Sequence, residues 1–113
     1  METNYKKTIY KETTENEVDY EKVTYKLEEL NNLPEEPGIY FMKDKEDRLL
    51  YVGKSKCLKK RVKSHFLNST NRSRKIERMI KNISHIEIIK TDTEFDALFL
   101  ECQNIHRLKP MYN

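Results

Sequence analysis

Apolar positions along the chain recur at two spacings, and each spacing predicts a kind of element. From Asp19, the run DYEKVTYKLEELNNL places Tyr20, Val23, Leu27 and Leu30 on one helical face, with Pro34 and Pro37 to stop it. PGIYFMK and RLLYVG are short and apolar, bounded by proline and glycine. They read as two strands joined by the polar turn DKED, a hairpin. Leu58, Val62 and Phe66 stand four apart and predict a second helix, followed by a loop at Asn68-Ser69-Thr70-Asn71. Ile76, Ile80 and Ile83 predict a third helix. His85-Ile86-Glu87-Ile88-Ile89-Lys90-Thr91 alternates and is β-branched, so it predicts a strand. Thr93, with Asp96 three residues on, starts a fourth helix that runs to about Leu108 and ends before Pro110. Residues 1–19 are polar and aperiodic and are expected to form a tail, leaving residues 20–113 as a single domain. The expected class is α/β in the α+β sense: a small, mainly antiparallel three-stranded sheet flanked by helices.

Charge sharpens this picture. Of 113 residues, 22 are Lys or Arg and 19 are Asp or Glu, for a net charge of +3. That balance hides a segregation: residues 48–76 carry ten Lys or Arg and no Asp or Glu at all. A basic segment inside an otherwise acidic chain predicts a polyanionic partner, with DNA the natural one. Lys54, Lys56, Lys59, Lys60, Arg61, Lys63, Arg72, Arg74 and Lys75 are its candidate phosphate contacts. No apolar run has the length of a membrane span, so no membrane partner is expected. Cys57 and Cys102 have no metal-ligand spacing, and a reduced, cytoplasmic setting with a monomeric chain is the plain expectation.

Several residues carry candidate chemistry. Tyr40 and Tyr51 stand on the two hairpin strands, and Gly38 and Gly53 are the only glycines. Their placement in these strings predicts close backbone approach or unusual dihedrals there. Arg61 and His65, four apart on the basic helix, flank its apolar stripe and can reach one site. On the last helix, Glu101 falls within the arc containing Ala97, Leu98, Ile105 and Leu108. A carboxylate facing a core calls for a metal ion or a buried arginine; an edge-of-stripe ion pair with lysine fits the periodicity equally well. His85 and His106 match no motif.

The ordered series LPEEPGIYFM, LLYVGKSKCLKKRVKSHF, TEFDALFLE and KPMYN resembles the GIY-YIG nuclease family, in particular its excinuclease C-like branch. The resemblance spans about Leu33 to Asn113, with Val52 in place of the family's isoleucine. It implies the GIY-YIG fold and a DNA endonuclease that hydrolyses a phosphodiester by in-line attack of water, incising one strand in nucleotide excision repair. A DNA-binding module that no longer cuts, and a mobile-element or restriction-type nuclease, are the alternatives. By resemblance Tyr51 is the general base, Arg61 the catalytic arginine and Glu101 the ligand of one Mg²⁺ or Mn²⁺ ion. Tyr40, Lys54 and Asn113 are supporting groups, and His65 holds a position filled in relatives by tyrosine or histidine. A phenol with a reference pKa near 10 needs a cation beside it to act as a base, and Lys54, three residues beyond Tyr51, is expected to supply it. Within 113 residues there is no room for a second nuclease domain or partner-docking segment. The chain is therefore expected to be either a piece of a longer protein, with repair-protein partners of its own, or a free-standing nuclease.

Overall fold

A computed structural model describes the backbone of residues 7–12, 18–67 and 72–113, and the side chains within these from Tyr20 onward. Strands β1 (Lys7–Glu12) and β2 (Val18–Lys26) lead into a 3-10 helix, Leu27–Asn32. Strands β3 (Gly38–Lys43) and β4 (Leu49–Ser55) form the hairpin, followed by helices α1 (Leu58–Phe66) and α2 (Arg74–Asn82). Strand β5 (His85–Lys90) and helix α3 (Glu94–Leu108) complete the order. All pairings are antiparallel, and the spatial order of the sheet is β1-β2-β5-β3-β4.

The α/β class and the antiparallel sheet are as the sequence predicts, but the sheet has five strands rather than three. The extra two come from the stretch expected to be a tail and a first helix. Val18–Lys26 is extended, pairs with both β1 and β5, and divides its residues between the two faces of the sheet. Tyr20 packs on one face, and Val23 and Tyr25 on the other. Leu27 and Leu30 belong to the short 3-10 turn, whose Glu29 carboxylate accepts from the Lys26 amide at 2.9 Å. The expected boundary at residue 20 therefore falls inside a strand. The loop expected at Asn68–Asn71 lies outside the described residues.

The sheet separates two cores. Tyr40, Met42, Leu50, Ile86 and Ile88 face α1 and α2, where Leu58, Val62 and Met79 pack against them. Ile39, Phe41, Val52 and Ile89 face α3, through Ala97 and Leu100. The polar turn of the hairpin is held by Asp44, whose carboxylate accepts from the amides of Glu46 (3.0 Å) and Arg48 (2.8 Å), with Asp47 in the left-handed region at φ 64°. Beyond α3, Lys109 (φ 48°) turns the chain back, and the amides of Met111 and Tyr112 donate to Leu49 and Leu50 at 3.3 and 2.8 Å. The carboxy-terminal residues thereby cover the outer edge of β4.

Candidate active site

The antiparallel register of the hairpin sets Tyr40 opposite Gly53 and Met42 opposite Tyr51, so both phenols point to the α1 side. Helix α1 begins where the loop ahead of β3 anchors it: Leu58 N–H donates to Glu36 O at 3.0 Å and Lys59 N–H to Pro34 O at 2.9 Å. Its apolar residues Leu58 and Val62 bury against the sheet, which turns Arg61 and His65 toward the two tyrosines. The rings of Tyr40, Tyr51 and His65 form a triangle with centroids 5.5–6.1 Å apart. Tyr40 is fully buried, and its hydroxyl and His65 Nε2 are 2.8 Å apart. Gly53 keeps negative φ, as does Gly38, so neither glycine serves an unusual dihedral. The requirement is space: a Cβ on Gly53 would overlap the Tyr40 phenol, and one on Gly38 would overlap Ile89 O and approach Leu58 Cδ1 at 2.8 Å.

The protonation states follow from this packing. Burial pushes the Tyr40 phenol well above its ordinary value; the neighbouring Tyr51 adds to this and the Arg61 guanidinium opposes it. Burial, reinforced by Arg61 and Arg72, brings the His65 imidazole down to about 4. His65 is therefore neutral at pH 7, and the short contact has Tyr40 donating to Nε2. Arg61 sits beside both phenols: Tyr40 first and Tyr51 second, each by charge and hydrogen bonding, hold its guanidinium above the usual value. The cation next to Tyr51 is thus Arg61, not Lys54 as expected. Residues three apart on a strand face opposite ways, and Lys54 lies on the α3 side of β4, where its ammonium pairs with Glu94 at 3.3 Å.

Glu101 approaches the same edge of β4 from α3. Burial raises its carboxyl above the ordinary value, against the charge and the backbone amide of Lys54. Among the described residues it has no salt-bridge partner, since Lys54 gives its ammonium to Glu94. Glu94 was not singled out in sequence, where the first-turn position of an acid is explained by the helix dipole; its place seven residues before Glu101, on the same face of α3, was the available signal. Asn113 donates to Val52 O (3.0 Å) and accepts from Val52 N–H (2.8 Å), so one side-chain amide mimics a strand neighbour for β4.

The predicted phosphate contacts divide. Lys59 and Glu35 are 4.0 Å apart, and Lys63 donates to Asn31. Lys59, Lys60 and Lys63 line an open groove of about 540 Å³ with Glu35, Cys57 and Leu67. Lys56, Lys60, Arg61, Arg74 and Lys75 are exposed, and Arg72 stands close enough to His65 to affect its charge. A second depression of about 480 Å³, lined by residues such as Asp44, Arg48, Lys81 and Tyr112, contains none of the site residues. Asp47, His85 and Glu87 bring three possible metal-ligand atoms within 4.8 Å of one another. Glu87 there already meets the ammoniums of Lys43 (3.2 Å) and Lys22 (3.4 Å), which disfavours a metal cation beside them.

Two tyrosines on a hairpin, an arginine and histidine from the following helix, and a carboxylate from the last helix define a GIY-YIG type of domain. Residues 36–113 match the profile of the UvrC-like GIY-YIG domain, and the chain belongs to that family. It is 52% identical over 85 residues to UvrABC system protein C of Clostridium acetobutylicum and 51% identical over 86 residues to that of Clostridioides difficile. These alignments cover 75% and 76% of this chain but 14% of each relative, so the chain spans about one-seventh of their length. Among solved structures it is similar to the GIY-YIG N-terminal endonuclease domain of UvrC from Thermotoga maritima bound to its catalytic divalent cation, magnesium. The TM-score is 0.66 at 31% identity, over 76% of this chain and 92% of that one. That domain has also been solved with its cation as three Tyr→Phe variants, each with a TM-score of 0.65 against this chain. Among the described residues no helix is long and apolar enough to cross a membrane.

Proposed function

We propose that this chain is a divalent-metal-dependent DNA endonuclease domain that hydrolyses a phosphodiester by in-line attack of water, incising one strand in excision repair. The observation that carries the reading is the convergence of Arg61 on both Tyr40 and Tyr51, with Glu101 at the adjoining edge of β4. Tyr51, only partly buried, is the phenol that water can reach, and it accepts the proton of the attacking water. Tyr40, buried and held protonated, donates to His65 and fixes the geometry of the cluster. Arg61 is exposed, and its five donors suffice for the phenols and a phosphate oxygen together, offsetting transition-state charge. Asn113 holds β4, and hence Tyr51, in register. Lys54 orders the other face of β4 through Glu94.

The Glu101 carboxylate fits a hard cation: it is half-buried, costly to keep charged, and without an ammonium partner among the described residues. A single Mg²⁺ or Mn²⁺ bound there would polarise the scissile phosphate and stabilise the leaving 3′ oxygen. The basic surface of α1 and the start of α2 would track the DNA backbone. Both cysteines are free thiols, which supports a reducing, cytoplasmic setting. Repair-protein partners belong to this reading through the longer relatives.

The test is Glu101→Gln in a nicking assay with Mg²⁺, alongside DNA affinity measured in EDTA. The variant is expected to lose cleavage while keeping affinity. Its melting temperature in EDTA should equal or exceed that of the native chain, because a desolvated charge is removed. A structural ion pair broken at one end would instead cost about 3–5 kcal/mol. Undiminished cleavage by this variant would remove Glu101 as the metal ligand.

A further inference from the structure

Asn113 and Glu101 take successive places along the outer edge of β4. Asn113 pairs with the amide and carbonyl of Val52. Two residues on, where that edge next presents an N–H, the Lys54 amide donates to the Glu101 carboxylate. Glu94 stands two turns before Glu101 on the same face of α3, about 10 Å along the helix axis. Lys54 is laid between the two acids. Its backbone nitrogen meets Glu101, its ammonium meets Glu94 at 3.3 Å, and its charge is still felt at Glu101.

One ammonium on a flexible four-carbon stem thus stands between two carboxylates, and which of them it takes matters to a cation on Glu101. An ammonium seated on Glu101 would use its lone pairs and set a like charge beside any divalent ion. In this structure Glu94 has the ammonium instead. The side chains of the pair are 32% and 49% exposed, so the contact is weak and easily exchanged. That suits a counter-ion that steers a lysine better than one that holds the fold. The start of α3 does not depend on Glu94, because Thr93 Oγ1 accepts from the Asp96 amide at 3.0 Å.

We infer that Glu94 is a positioning residue of the metal site: by taking the Lys54 ammonium it keeps Glu101 open to a divalent cation, and without it Lys54 turns onto Glu101 and competes with that cation. The inference rests on the reading of Glu101 as the metal ligand and adds to it a residue that acts only through Lys54.

The test is Mn²⁺ binding to the intact chain without DNA, followed by the electron paramagnetic resonance signal of the free ion. Glu101→Gln should abolish binding at the site; native affinity in that variant would overturn the metal reading itself, and the inference with it. Glu94→Gln should weaken binding about fivefold, the equilibrium worth of one exposed ion pair, with an unchanged circular dichroism spectrum. Lys54→Met should bind no more weakly than the native chain. Adding Glu94→Gln to Lys54→Met should cost less than about twofold, since a bare charge about 10 Å away is largely screened at physiological salt. Lys54→Gln serves the same purpose should the methionine variant fail to fold. The readout is binding alone, so any part of Lys54 in cleavage does not enter. With Glu101→Gln inactive in binding, two results would overturn the role of Glu94 and leave the metal reading standing. One is native affinity in Glu94→Gln. The other is an equal loss with and without Lys54, which would mean that Glu94 acts on the ion directly.

Discussion

Each phenol in the site has a different environment and therefore a different task. Tyr40 is sealed under α1 with His65 taking its hydrogen bond, while Tyr51 reaches the surface beside Arg61. Tyr51→Phe removes a proton acceptor and retains the ring, so the fold should survive while single-turnover cleavage falls by about 10²–10⁴. Near-native cutting by this variant would move the base elsewhere. His65 makes a separate, pH-dependent prediction. Its imidazole titrates near 4 in the folded chain and near 6.5 when unfolded, so between those values the unfolded state binds more protons. Stability should rise with pH across that window and be fully present above about 6.5. After allowance for solvent around a partly exposed ring, the loss from pH 7 to pH 5 is on the order of 1 kcal/mol. Glu101, whose carboxyl is raised by burial, pulls the other way as acid protonates it. The comparison is therefore native chain against His65→Tyr: denaturant midpoints at pH 5 and pH 7 should differ less in the variant. Equal differences would mean that His65 is not the buried neutral base described.

At the scale of elements, the legible parts of the fold were those with local punctuation. The β3–β4 hairpin is bracketed by Pro37, Gly38 and Gly53, and α1 and α3 follow one period without a rival. Residues 19–30 satisfied two periods at once: Tyr20, Val23, Leu27 and Leu30 match a helix, whereas Val23 and Tyr25 match a strand face. Pairing with β5 decided for the strand, and β5 is some sixty residues away. The same non-locality hid the partner of Lys54, the cation beside Tyr51 and the anchoring of Asn113 on Val52, although Lys54, Tyr51, Arg61 and Asn113 were all picked out in sequence. Gly53 shows how a local string serves a distant side chain. Gly53→Ala would drive a methyl group into the Tyr40 phenol, and both sit in a packed interior. Denaturant unfolding should show a loss of about 1–3 kcal/mol, and the Tyr40–His65 contact should open. An alanine variant of native stability would mean that the ring has room to move.

At the scale of the whole molecule, the charge pattern needs three-dimensional correction before it predicts binding. The sequence gives ten Lys and Arg from Arg48 to Lys75 with no acid among them. Folding brings acids from elsewhere to three of these: Asp44 and Glu46 to Arg48, Glu94 to Lys54, and Glu35 to Lys59. Arg48 sits at the hairpin turn, where its Nε donates to Asp44 at 2.8 Å and its task is structural. Among the described residues, Lys56, Lys60, Arg61, Lys63, Arg72, Arg74 and Lys75 have no salt-bridge partner. These come from α1, its approach and the start of α2, and two of them, Arg61 and Arg72, act on the Tyr40–Tyr51–His65 cluster itself. If about four to six of them contact phosphates, log K for duplex DNA should fall with log salt at a slope of about −4 to −5. Lys60→Ala should flatten that slope by about one, whereas Arg48→Ala should leave it unchanged and lower only the stability of the turn. Binding that ignores salt, or a slope that responds to Arg48 rather than Lys60, would place the DNA on another face of the domain.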